Sequence, residues 1–110
     1  MNERKRRIGE NEAIFRSLND EINSLNATLT EKPKAMLVVC ECGARSCTDR
    51  IEILPKDYRK VRDDPTLFVL RPGHDAPETE TVTAKKPGYW IVRKDPGLPA
   101  AIAKETDPAI

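Results

Sequence analysis

The chain has 110 residues, 38% hydrophobic and 34% charged, and its 19 basic and 18 acidic side chains leave a net charge of +1. That length bounds a single domain with a modest core, and the balanced charge excludes a chain built as a whole to grip nucleic acid or a membrane surface. No apolar run approaches the ~20 residues of a membrane span, and no secretory apolar segment follows the charged N-terminus.

The first predicted element is a long helix over residues 3–30. Apolar residues fall at Ile8, Phe15, Leu18, Ile22, Leu25 and Leu29, with Asn11 filling the series, in steps of three and four. This is a heptad seam of a and d positions, and Ile14 widens it. The seam is expected to dock on the protein's own sheet. A helix rich in Asn, Ser and Thr is weak by itself, which favours that docking; self-association or a partner helix is the alternative. Pro33 ends the helix and starts a linker. The expected organisation is an N-terminal amphipathic helix over 1–32, a metal-binding α+β core over 33–94 and a Pro-rich C-terminal tail over 95–110.

Met36-Leu37-Val38-Val39 reads as a buried strand running into Cys40, and Arg50-Ile51-Glu52-Ile53-Leu54 alternates as a half-buried strand does. A hairpin with the cysteine loop at its tip follows. Pro55 suits the first turn of a short helix that ends near Asp63-Asp64-Pro65, with Tyr58 and Val61 on one face. Thr66–Leu70 is a third strand, delivering the turn Arg71-Pro72-Gly73-His74. Residues Glu78–Lys85 and Tyr89–Lys94 flank Lys86-Pro87-Gly88 as a final hairpin. In the tail, only Ala100–Glu105 is expected to form a helical turn. The fold class is α+β: a long N-terminal helix, a small mostly antiparallel sheet with one short helix, and a zinc-knuckle hairpin.

All three cysteines lie in Cys40-Glu41-Cys42-Gly43-Ala44-Arg45-Ser46-Cys47, and the one histidine is His74. Three cysteines cannot pair off within one chain, so a disulfide framework is disfavoured and a reducing cytoplasm is expected. Cys40, Cys42, Cys47 and His74 would complete a tetrahedral Cys₃His site for Zn²⁺, with Gly43 allowing the tight turn after the pair. Folding and metal binding would then be coupled. The spacing leaves open an iron–sulfur cluster, ordinary reduced thiols or a redox-active pair, and a plain surface imidazole for His74. A catalytic metal would need an open position and an acid–base residue, for which Glu41 and Asp75 are the candidate carboxylates. Neither belongs to a recognised spacing, and no phosphate loop or nucleophile–base set is present. No catalytic residue is assigned.

Cys40-Glu41-Cys42-Gly43, Cys47, the Ile51-Glu52 strand, the Tyr58/Val61 helix, Pro72-Gly73-His74 and the Asn11-Glu12-Ala13 helix start together resemble a group of small uncharacterised bacterial proteins. The shared pattern is C-x-C-G-x₃-C followed by P-G-H, and the likeness runs from the first helix to Thr106-Asp107-Pro108. It implies that the cysteines and His74 act as one unit, and it transfers no activity.

The leading expectation is a small zinc-binding interaction or regulatory module without catalytic activity. Its partner would be a protein, or a second copy, meeting the N-terminal helix. The first alternative is a nucleic-acid or ribosome-associated zinc-knuckle protein, in which Arg4, Lys5, Arg6 and Arg7, with Arg45 and Arg50, contact phosphates and Tyr89 and Trp90 stack on bases. A thiol redox switch and a metal-dependent enzyme are the further alternatives. No membrane partner is expected.

Overall fold

The computed structural model describes residues 3–29, 35–42, 44 and 46–107, and the side chains of residues 3–8 and 25–29 lie outside that description. The expectations for the Arg4–Arg7 side chains, for Ile8, Leu25 and Leu29, and for Pro33, Gly43 and Arg45 therefore fall outside the described residues. The described elements are α1 (Glu3–Leu29), β1 (Met36–Val39), β2 (Arg50–Ile53), α2 (Pro55–Arg62), β3 (Leu67–Leu70), β4 (Glu80–Lys86), β5 (Tyr89–Lys94) and α3 (Leu98–Glu105). The class is α+β.

Every strand pairing is antiparallel. β1 pairs β2 with Val38 opposite Ile51, and β5 lies between β3 and β4 with Val92 opposite both Phe68 and Val82. The expected single sheet is thus two small ones, β1-β2 and β3-β5-β4. They are joined where the Glu41 amide donates to the Val69 carbonyl at 2.9 Å, just past the end of β1. Alternation in Arg50-Ile51-Glu52-Ile53 is realised as written, with Ile51 and Ile53 buried and Arg50 and Glu52 exposed. Pro55 opens α2, whose buried face is Tyr58 and Val61, and Arg59, Lys60 and Arg62 in the last turn suit the negative end of its dipole. Val38, Ile51, Tyr58, Phe68, Val69, Leu70 and Val92 form the centre of the core.

The long helix docks rotated by one residue, roughly 100°, from the heptad seam. Glu12, Arg16 and Asn19 are fully buried, whereas Ile14 is 65% and Leu18 44% exposed. Of the seam residues, Phe15 is half-buried and Ile22 packs at the edge of the core. The buried stripe keeps helical spacing, but it is polar. It is stable because each member finds a partner, as a buried polar group must. Asn19 Nδ2 donates to the Val39 carbonyl and its Oδ1 accepts from the Val39 amide, both at 2.8 Å, so the helix clasps the last residue of β1. The Arg16 guanidinium donates to the carbonyls of Pro65 (2.6 Å) and Ala103 (2.8 Å) and lies 4.4 Å over the Phe68 ring. Arg62 on α2 forms a two-pronged pair with Asp20 on α1, at 2.8 and 3.0 Å.

Residues past Asp95 also join the fold. α3 begins at Leu98, earlier than the helical turn expected from Ala100, and buries Ile102 and Ala103. Ile102 reaches α1 at Gly9, where an added Cβ would stand 2.7 Å from Ile102 Cγ2. Glycine at that position lets the two helices approach.

A second buried polar group ties α1 to the three-stranded sheet. Lys94 Nζ on β5 lies 2.5 Å from Glu12 Oε1 and 2.7 Å from Glu80 Oε1, with all three side chains almost wholly out of water. Two carboxyls therefore share one ammonium. Burial pushes the Glu12 carboxyl up to about 8 against the pull of Lys94, and the neighbouring Glu80 adds to the rise. A raised carboxyl pKa stabilises the fold fully below the ordinary value of 4.5, and that stability is lost as pH rises through about 8. The Glu12→Gln variant should accordingly show a flatter fall in urea midpoint than the native chain over that window. Parallel slopes for the two proteins would show that Glu12 is ionised in the fold throughout.

Candidate metal centre

β1 and β2 form the stem of a hairpin whose tip carries the cysteines, and the stem is closed by the Cys40 amide donating to the Asp49 carbonyl at 3.0 Å. Cys40 and Cys42 are buried, at 2% and 7% exposure, and Cys47 is half-buried on the return limb. His74 arrives from the turn after β3. That turn closes by the His74 amide donating to the Arg71 carbonyl at 3.0 Å, with Gly73 at φ 86°. This is a left-handed conformation that glycine adopts without steric cost.

The structure brings together all four residues singled out from the sequence. One ligand-type atom from each of Cys40, Cys42, Cys47 and His74 lies within 4.8 Å of the other three. His74 Nδ1 is 3.6 Å from both Cys40 Sγ and Cys47 Sγ. Zn–S bonds of ~2.3 Å and Zn–N bonds of ~2.0–2.1 Å at the tetrahedral angle give an S···N edge of ~3.6 Å. The donor set therefore fits a tetrahedral metal ion, and this group could hold one.

The Arg71 amide donates to Cys40 Sγ at 3.2 Å, and the backbones of Ala44 and Asp49 act to lower the pKa of Cys42 and Cys47. Amide dipoles aimed at sulfur favour the thiolate, the form in which cysteine binds metal. Without a metal, the thiols share one another's protons. Cys42 is pushed down to about 5, chiefly because Cys40 donates to it, with the Ala44 backbone helping and burial opposing. Cys40 is pushed up by its donation to Cys42 and then by burial, and burial also raises Cys47. A divalent cation would replace those shared protons. The three cysteines form no disulfide.

The two carboxylates considered for metal-assisted catalysis are not part of this cluster. Glu41 lies between two of the cysteines in sequence, yet its fully buried carboxylate serves the interior. It accepts from Tyr58 Oη at 2.7 Å, Asn19 Nδ2 at 2.8 Å and the Val69 amide at 3.0 Å. Burial raises its pKa while those three donors lower it. Asp75 is not among the four grouped residues. Sequence reasoning missed Asp49, whose Oδ2 lies 3.6 Å from His74 Nε2 on the far side of the ring from the sulfurs. The available signal was an acid two residues past the last cysteine, where the return limb passes the turn that carries His74.

No protein-family model matches the chain, and no solved structure matches it. Among curated proteins the chain is similar to one from Methanocaldococcus jannaschii described as "Probable helicase MJECL08", 29% identical over 99 residues. The match takes in 84% of this chain but only 18% of the length of that protein. No described helix is long and apolar enough to cross a membrane.

Proposed function

We propose that the protein is a small zinc-binding interaction or regulatory module, held by a closed Cys₃His site of Cys40, Cys42, Cys47 and His74. The carrying observation is the set of four donors within 4.8 Å of one another, with Cys40 and Cys47 each 3.6 Å from His74 Nδ1, about a tetrahedral edge. Three thiolate donors and one imidazole fill four positions, which favours Zn²⁺ in a structural role. An iron–sulfur cluster is the lesser fit, since the fourth donor is nitrogen. Free thiols at all three cysteines suit a reducing cytoplasm. The working surface is the outer face of α1, where Ile14 and Leu18 stand exposed, with Leu37 exposed on β1. A protein partner or a second copy of the chain would cover it. Elemental analysis of protein purified without added metal should find about one zinc per chain, reduced or lost in Cys42→Ser and His74→Ala. Iron with visible absorbance, or no metal, would overturn the assignment.

A second reading is nucleic-acid binding, favoured by the likeness to a helicase-named protein. Exposed Lys56, Arg59 and Lys60 on α2 and Lys85 and Lys86 on β4 would meet phosphates, and Trp90, under Lys85 at 4.6 Å, offers an aromatic face. Labelled single-stranded RNA or DNA should then shift at low salt and be released as salt rises. No shift at low salt would remove this reading.

A further inference from the structure

We propose that Asp49 is the positioning residue of the metal centre: its carboxylate fixes the His74 ring so that Nδ1 faces the three sulfurs. The inference rests on the metal reading and deepens it. His74 is the one member of the group that does not come from the cysteine hairpin, so nothing in that hairpin's backbone sets which way its ring turns. A neutral imidazole carries hydrogen on one nitrogen and a lone pair on the other, and only the lone pair can bind metal.

The two ring nitrogens have different neighbours. Nδ1 is 3.6 Å from Cys40 Sγ and from Cys47 Sγ, and Nε2 is 3.6 Å from Asp49 Oδ2. A carboxylate only accepts hydrogen bonds, so closing this contact requires hydrogen on Nε2. With hydrogen there, the Nδ1 lone pair is directed at the cysteines. The Nε2–Oδ2 contact is of ion-pair length, and a movement of less than an ångström would close it to a hydrogen bond.

The Asp49 backbone is tied to the cysteine hairpin, its carbonyl accepting from the Cys40 amide at 3.0 Å. Arg71 Nε lies 4.0 Å from the same Oδ2 that faces the ring. The backbone of Asp49 thus supports Cys40 while its side chain faces the histidine. Groups that hydrogen-bond the outer nitrogen of a ligating histidine orient the ring and raise its basicity, and their loss weakens metal binding by about 10–100-fold.

The test compares Zn²⁺ affinity, by competition with a chromophoric chelator, in the native chain, Asp49→Ala and Asp49→Asn. The alanine variant should bind about 10–100-fold more weakly. The asparagine variant keeps an oxygen able to accept from Nε2–H and should recover part of that loss. Nitrogen-15 NMR of His74 in the native protein should show hydrogen on Nε2. Equal affinity in all three proteins would overturn the proposal, as would hydrogen on Nδ1. If the native chain binds no zinc, the metal reading itself fails, and the NMR result on the metal-free protein still decides whether Asp49 sets the ring. Should the alanine variant fail to fold, the asparagine variant and the ring assignment carry the test.

Discussion

The carboxylate of Glu41 is the contact on which the rest of this structure depends. It sits in the chain between two cysteines of the metal centre, so its backbone position is fixed by the same loop that aims Cys40 and Cys42. Its oxygens accept from α1 through Asn19, from α2 through Tyr58 and from β3 through the Val69 amide. An unpaired carboxylate at zero exposure would be costly. Three donors offset that cost only if three separate elements arrive together. Glu41 therefore makes the cysteine hairpin and the packing of α1 and α2 parts of one cooperative unit. Removing one partner leaves the others buried without a mate, which is the expensive outcome for a polar network.

This arrangement explains why the long helix turns a polar face inward. Two sheets of short strands and five aromatic residues cannot supply a wide apolar floor. Asn19 and Arg16 instead satisfy backbone groups at places where the sheets and loops leave them open: the end of β1, the Pro65 carbonyl before β3 and the Ala103 carbonyl near the end of α3. Glu12 adds the link to Lys94 on the far sheet. Directional bonds of this kind specify one orientation of the helix, whereas an apolar stripe would tolerate rotation or sliding. The apolar residues Ile14 and Leu18 are left outside as a consequence.

What was legible in the sequence was local. Alternation in Arg50–Ile53, the apolar run of β1, Pro55 at a helix start and Pro87-Gly88 between strands each depend on neighbours along the chain, and each element formed within a few residues of expectation. The cysteine–histidine set was legible because those residue types carry distinctive chemistry wherever they occur. The docking face of α1 was hidden because the partners of Arg16 and Asn19 lie 20 to 87 residues away. Glu12, Arg16 and Asn19 lie outside the apolar seam on which the sequence reading rested, although they share its helical spacing. Asp49 and the contact of Gly9 with Ile102 were hidden for the same reason: only the folded path brings them to their partners.

The cysteine hairpin and the docking of α1 are one unit joined through Glu41. Hydrogen exchange of the backbone amides in α1, compared between protein supplied with zinc and protein stripped by a chelator, tests this most directly. If the hairpin holds the proposed zinc, removing it should lower protection in the cysteine hairpin and, with it, around Glu12–Ile22 of α1. Loss of protection confined to the hairpin, with α1 unchanged, would contradict it.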